Sequence, residues 1–220
     1  MESVRKLKES LLDRFAAVGH ALASPKRLEL LELLNQCEKS VETLSTNTSM
    51  SVANTSQHLQ ILRNAGLVET KRAGVRIFYR LADDEVHALL VSIKRLTERR
   101  NAEIGRIMSK VNKDAEEFEE VDREELLKLA EAGEIIILDI RPEDEFKAEH
   151  LPHALSVPLA SLRSHLDQLQ RDKQIVAYCR GPYCVLTAEA VRILRGEGFQ
   201  AKRLVEGVAE WRMMGHRTNT

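Results

Sequence analysis

Two domains are predicted, a mainly α domain closed by a basic β-hairpin and then an α/β domain built on a parallel sheet. Three observations predict this. The charge changes sign along the chain: residues 1–113 hold 19 Lys+Arg against 13 Asp+Glu, net +6, whereas residues 114–220 hold 14 against 21, net −7. The first half is a series of amphipathic helical runs with one pair of alternating segments around Ala73-Gly74. In the second half, helical runs alternate with short continuous apolar segments such as Ile135–Leu138, the pattern of strands buried on both faces. The predicted boundaries are 1–113 and 121–220, joined by a linker at 114–120 in which five of seven residues are acidic.

A chain of 220 residues can bury two cores. Aromatics make up only 4%, which argues against a base-stacking platform. No apolar run approaches the roughly 20 residues of a membrane span. Met1–Lys6 lacks the apolar core of a signal peptide. The expectation is a cytoplasmic protein with reduced thiols and no membrane partner. Its three cysteines, an odd number, then point to chemistry or packing and not to a disulfide framework.

Leu7 to Ala23 reads as an amphipathic helix. Ser24-Pro25 supplies an N-cap and a proline at the first helical position, opening a helix over Lys26–Asn35 with a leucine stripe. Val41–Leu44 is a short third helix and Ser45–Met50 a polar turn. Ser51 caps a fourth helix, Val52 to about Asn64, ended by Ala65-Gly66. Its predicted inner face is Val52, Leu59, Ile61 and Leu62, leaving Asn54, Thr55, Gln57, His58, Gln60 and Arg63 outside. Leu67–Arg72 and Val75–Leu81 form the hairpin, with Lys71, Arg72 and Arg76 clustered near its tip. Short helices, a polar-faced helix and a basic hairpin describe a winged helix-turn-helix, in which the polar helix enters the major groove and the wing touches phosphates or the minor groove. Asp83 to Lys113 reads as one long helix that packs against its twin in a dimer.

This half resembles the ArsR family of bacterial repressors. The resemblance is carried by Ala21-Leu22-Ala23-Ser24-Pro25-Lys26-Arg27-Leu28 and by Ser56-Gln57-His58-Leu59-Gln60-Ile61-Leu62-Arg63-Asn64-Ala65-Gly66-Leu67-Val68, and continues through the wing to Leu81. It implies a homodimer that binds double-stranded operator DNA of two-fold symmetry and lets go when an inducer arrives. The DNA contacts would come from Ser51, Asn54, Thr55, Ser56, Gln57, His58, Gln60, Arg63, Lys71, Arg72 and Arg76. Many members sense metals, but the stretch matching the family's thiol site, Lys39–Leu44, has no cysteine. Asp84 and His87 lack the spacing and downstream histidine of its second site, so no metal and no cofactor are expected. Cys37 reads as a packed residue.

In the second half, Asp122–Ala132 is a helix ended by Gly133, and Ile135–Ile140 is the first strand. A short helix at Glu143–Glu149, a strand at Ala154–Pro158 and helical residues Leu159–Leu169 follow. Ile175–Tyr178 is a strand that turns through Cys179-Arg180-Gly181-Pro182-Tyr183-Cys184 into a helix over Val185–Arg195, and Ala201–Leu204 is the last strand. In such folds chemistry sits at the carboxyl ends of strands. A strand–loop–helix turn aims backbone amides and the positive helix end at one point, which favours a thiolate or anion there. Loop amides from Arg180, Gly181, Tyr183 and Cys184 are expected to converge on the Cys179 sulfur, with Arg180 drawing in an anionic donor.

This half resembles a single-domain rhodanese. The motifs are Leu138-Asp139-Ile140-Arg141-Pro142 with Glu145-Phe146, then Glu149-His150-Leu151-Pro152-His153-Ala154-Leu155-Ser156-Val157-Pro158, the loop from Cys179, and Glu206-Gly207-Val208-Ala209-Glu210-Trp211. The fold class is thus a mainly α winged helix-turn-helix followed by a rhodanese-like α/β parallel sheet. Rhodaneses are sulfurtransferases, so the resemblance implies a Cys179 persulfide and a site of Cys179, Arg180, Gly181, Tyr183, Cys184, Asp139 and Arg141. Asp139 and Arg141 either brace the loop as a buried pair or are purely structural. The sulfur donor would be thiosulfate, a persulfide or a polysulfide. One departure is Cys184, where many active rhodaneses end the loop in a basic residue or a threonine. It is either an inert helix-capping residue or a second thiol that attacks the Cys179 persulfide.

Three functions remain in view from sequence. The leading one is a DNA-binding regulator, of repressor type, whose rhodanese domain accepts sulfane sulfur or senses thiol redox state at Cys179 and Cys184. The others are an active sulfurtransferase with an accessory DNA-binding domain, and an inactive rhodanese fold used as an interaction module.

Overall fold

The computed structural model describes residues 2–113 and 123–220, so the expected linker at 114–120 lies outside the described residues. The chain divides into two compact units, Met1–Arg95 and Leu96–Thr220.

The first unit begins with α1 (Glu2–Leu22), longer than expected because its exposed polar residues continue the helical pattern toward the N-terminus. α2 (Pro25–Leu34) starts after Ser24, whose extended backbone leads into Pro25 at the first helical turn. Arg27, buried, donates to the carbonyls of Ala21 and His20 and so closes the end of α1. β1 (Lys39–Ser40) is a two-residue strand the sequence does not announce; it pairs with the hairpin. α3 (Val41–Thr48) overturns the expected polar turn at Ser45–Met50. Its hydroxyls back-bond within the helix, Thr46 to the Glu42 carbonyl and Thr48 to that of Leu44, which keeps a polar stretch helical. The turn shrinks to Ser49, at φ 54°.

α4 (Val52–Asn64) matches expectation, with the Ser51 hydroxyl accepting from the Asn54 amide at 3.2 Å. Its inner face differs: Leu59, Leu62 and Thr55 are buried, while Val52 is exposed. β2 (Val68–Ala73) and β3 (Arg76–Leu81) make an antiparallel hairpin around Gly74-Val75, and the sheet order is β1-β3-β2. Leu30, Leu31, Leu44, Leu59 and Leu62 form the core between the helices.

The long helix expected over Asp83–Lys113 is two helices, α5 (Asp84–Arg100) and α6 (Ala102–Val111). Asn101 breaks it: its backbone is extended and its side chain accepts from the Glu103 amide at 3.0 Å, an N-cap for a fresh helix.

The second unit carries the α/β fold. α7 (Arg123–Glu131) leads into β4 (Ile135–Asp139), then α8 (Glu143–Ala148) and β5 (Leu155–Ser156). The stretch expected as one helix over Leu159–Leu169 is a single α-turn, α9 (Leu162–His165), between two 3₁₀ turns. β6 (Gln174–Tyr178), α10 (Val185–Gly196), β7 (Ala201–Arg203) and α11 (Val208–Met213) complete it. The sheet is parallel throughout, in the order β5-β4-β6-β7. Alternation along β4 and β6 sends side chains to both faces: Leu138, Ile175 and Ala177 pack with Val191 and Leu194 of α10. Ile137, Val176 and Tyr178 pack with Leu126 of α7 and Trp211 of α11. Burying both faces fixes the register and places Asp139 beside Tyr178 at the carboxyl ends of the two central strands.

Candidate functional site

β6 ends at Tyr178, fully buried, and Cys179 follows with only 1% of its surface exposed. The chain then turns through residues 180–183 to Cys184, the half-buried N-cap of α10. The Cys184 amide donates to the Gly181 carbonyl at 3.0 Å. That bond closes the loop and corrects the expectation that this amide points at the Cys179 sulfur.

Two glycines make the turn possible. Gly181 sits at φ 109°, a conformation L side chains rarely adopt, and a Cβ there would lie 2.8 Å from the Glu210 carboxylate. Gly207 is pressed against the loop from outside: a Cβ would meet the Cys179 carbonyl oxygen and the Gly181 nitrogen at 2.8 Å each. Glu210 accepts from the Gly207 amide at 3.0 Å and so ties α11 to the base of the loop.

Arg180 is held in place. Its guanidinium donates to both oxygens of Glu145, at 2.9 and 2.6 Å, and the Glu145 side chain is fully buried. Burial alone would lower this guanidinium's pKa, but the Glu145 carboxylate outweighs it and holds the group above its ordinary value. Glu145 thereby fixes the position of the Arg180 charge. Glu145 completes the site and the sequence reading missed its role, although the motif Pro142-x-x-Glu145 carried the signal.

Asp139 and Arg141 form the expected buried pair, at 2.7 Å and without exposure. Their partners lie behind the loop. The Tyr178 hydroxyl donates to Asp139 at 2.5 Å, and Arg141 also donates to the Glu149 carbonyl at 2.7 Å. The pair braces the strand end and the Glu149–Leu151 segment and stands one layer back from the sulfurs.

The two loop thiols act on each other's ionisation. Interaction with Cys184 and burial push the Cys179 thiol well above its usual value. Cys184 is pulled down to about 6 by the Cys179 thiol, against the opposing effect of burial, with help from the Arg180 and Leu186 amides and the Arg180 charge.

Also within the second unit, the Tyr183 hydroxyl donates to Glu98 at 2.9 Å. Arg203 donates to the Pro182 carbonyl at 3.2 Å and to the Asn112 side chain. Loop and helical segment 96–112 are thereby joined through side chains.

In the first unit, Ser51, Asn54, Ser56, Gln57, Gln60 and Arg63 are exposed on α4 and its cap, and His58 is half-buried. Thr55 does not join them: it is fully buried and its hydroxyl donates to the Ser51 carbonyl at 3.0 Å. Lys71, Arg72 and Arg76 are exposed on the wing. Among the described residues no cluster of His, Cys, Asp and Glu is arranged to hold a metal ion, and no helix is long and apolar enough to cross a membrane.

Comparison with known proteins gives two family matches. Residues 24–70 match the model for bacterial regulatory proteins of the arsR family, and residues 122–214 match the rhodanese-like domain. The chain is 42% identical over 208 residues to the HTH-type transcriptional regulator Rv0324 of Mycobacterium tuberculosis, covering 94% of this chain and 91% of that one. It is 25% identical over 97 residues to the thiosulfate sulfurtransferase GlpE of Coxiella burnetii, covering 43% of this chain and 88% of the relative. A solved winged helix-turn-helix DNA-binding domain from a possible ArsR-family regulator of Mycobacterium bovis is 40% identical, covers 43% of this chain and 87% of that one, and superposes with a TM-score of 0.41. The chain belongs to the ArsR-type transcriptional regulators, in the form that carries a rhodanese domain behind the winged helix-turn-helix.

Proposed function

We propose that this regulator is an operator-binding repressor whose rhodanese domain registers sulfane sulfur at the Cys179–Cys184 pair. One observation carries the proposal: the loop that in the rhodanese resemblance holds one persulfide cysteine here begins and ends in a free cysteine, Cys179 buried and Cys184 half-buried at the head of α10. Such a pair is suited to resolve a persulfide, and a resolved pair stays modified until it is reduced. A loop made for turnover would instead release its sulfur to an acceptor.

The DNA-binding surface is α4 with the wing. α4 is a polar helix presented by α3, and Lys71, Arg72 and Arg76 supply phosphate contacts at the hairpin. A second copy of the chain is expected to cover the apolar face of α1, where Val4, Leu7, Leu11, Leu12 and Phe15 are exposed. The bonds from Tyr183 to Glu98 and from Arg203 to Asn112 offer a route by which a change in the loop reaches α5 and α6. Half-sites lie about one DNA turn apart, so a small change in dimer geometry alters operator affinity.

The test is operator affinity of the full chain before and after polysulfide, with modification of the loop verified by mass. A change of about tenfold, worth about 1.4 kcal/mol, is expected. Unchanged affinity with a modified loop overturns the proposal. Sustained thiosulfate turnover, lost in Cys179→Ser, would favour a sulfurtransferase instead, the activity named for the Coxiella relative.

A further inference from the structure

The rhodanese resemblance makes Cys179 the residue that takes sulfur, but the two thiols differ in access. Cys179 closes a buried strand and is 1% exposed, packed in the core with Leu138, Ala177 and Ala188. Cys184 is half-buried at the head of a twelve-residue helix. The thiol makes no capping hydrogen bond. The Leu186 amide favours its anion alone, and the Arg180 amide favours that of either cysteine. The Arg180 charge is kept near it by the buried Glu145 carboxylate. The Arg180 charge favours the anion of both cysteines, so exposure and the helix terminus are what single out the Cys184 sulfur.

We propose that Cys184 is the first nucleophile of the loop and Cys179 the resolving thiol, with a low-molecular-weight hydropersulfide as the substrate. The proposal rests on the sulfur-sensing function above and gives its order of events. In the first step the Cys184 thiolate attacks the outer sulfur of the donor hydropersulfide. The donor sulfur–sulfur bond breaks, the donor thiolate leaves with the electron pair, and Cys184 carries the hydropersulfide. In the second step Cys179 loses its proton and attacks the Cys184 sulfur. The persulfide bond breaks, sulfide leaves with that electron pair and takes up the proton as hydrogen sulfide, and a Cys179–Cys184 disulfide remains. Two thiols are oxidised and one sulfane sulfur is reduced to sulfide, so no further oxidant is needed.

The order agrees with the directions of the two shifts, Cys184 downward and Cys179 upward. It also separates the two cysteines by access: a bulky donor need reach only the loop rim, and the interior sulfur reacts with its neighbour alone.

The experiment treats the full-length protein with glutathione persulfide, quenches at successive times with an alkylating agent, and maps tryptic peptides. Cleavage after Arg180 puts Cys179 and Cys184 on different peptides. The earliest added sulfur is expected on the Cys184 peptide, followed by loss of two hydrogens and release of sulfide. Cys179→Ser should stop at a stable Cys184 persulfide, and Cys184→Ser should load Cys179 at least about tenfold more slowly than the parent loads Cys184. The time course in the parent protein keeps the test valid if either variant misfolds. Sulfur appearing first on the Cys179 peptide overturns the order while leaving the sensing function standing. No sulfur and no disulfide at either cysteine overturns both. A disulfide formed in this order without any change in operator affinity supports the order and removes the sensing function.

Discussion

Gly207 and Glu145 hold the loop from outside it. A Cβ at position 207 would collide with the backbone of residues 179–181, which has no flexible end to move aside. Gly207→Ala is expected to cost about 1–3 kcal/mol and to abolish sulfur uptake by displacing the loop. Denaturant unfolding and the peptide map measure the two effects, and unchanged uptake would show that the loop tolerates the shift. Glu145→Gln leaves the Arg180 guanidinium, 22% exposed, with a neutral partner. The expected loss is about 2–3 kcal/mol, below the cost of a fully buried unpaired charge because Arg180 reaches some solvent. The more telling readout is the pH profile of Cys184 alkylation. In the parent its rate rises as pH climbs through about 6, because only the thiolate reacts. In Glu145→Gln the guanidinium is no longer anchored, and the midpoint should move upward. The loop sequence itself was legible, but these partners were not. Glu145 and Gly207 stand far from Cys179 along the chain, and nothing in their local spacing says that they converge on it.

At the scale of elements, periodicity located nearly every helix and strand, and the failures share a cause. α3 runs through Ser45–Thr48 because hydroxyls that often break helices bond back to carbonyls four residues earlier. The helix expected to run unbroken to Lys113 stops because Asn101 caps a new one. In both places a polar side chain chose between two local hydrogen bonds, a choice the apolar pattern does not record. Thr55 is the third case. Polar by type, it turns into the core and satisfies its hydroxyl on Ser51. Thr55→Val is therefore expected to lower stability by about 1 kcal/mol with little effect on operator selectivity. Gln57→Ala, on the exposed face, should do the reverse. Competition binding against operator and scrambled DNA distinguishes them. Lys71→Ala or Arg72→Ala on the wing should weaken all DNA binding alike and reduce the slope of log affinity against log salt by about 1 each.

At the scale of the whole molecule, each unit has a core of its own, so either folds around its own buried residues. Communication then needs specific bonds, and the second unit provides them between the loop and the helical segment that precedes its α/β fold. Asn112 is joined through Arg203 to the Pro182 carbonyl. Asn112→Ala is expected to leave sulfur uptake and unmodified operator affinity near the parent values, and to shrink the polysulfide response by severalfold. Paired mass and DNA-binding titrations check this, and a full response in the variant would remove Asn112 from the route.

The sequence by itself determined the two-domain order, the polar helix and basic wing, the parallel sheet and the six-residue cysteine loop. Each of these follows from local period, turn residues and charge, which act over a few neighbours. Only the tertiary structure decided which thiol is buried, where Arg180 points and which side Thr55 faces. Burial and charge pairing are set by residues brought together from distant parts of the chain. For the cysteine loop those residues are Glu145 from α8 and Gly207 and Glu210 from the start of α11. They hold two cysteines five positions apart as one buried thiol and one half-buried thiol.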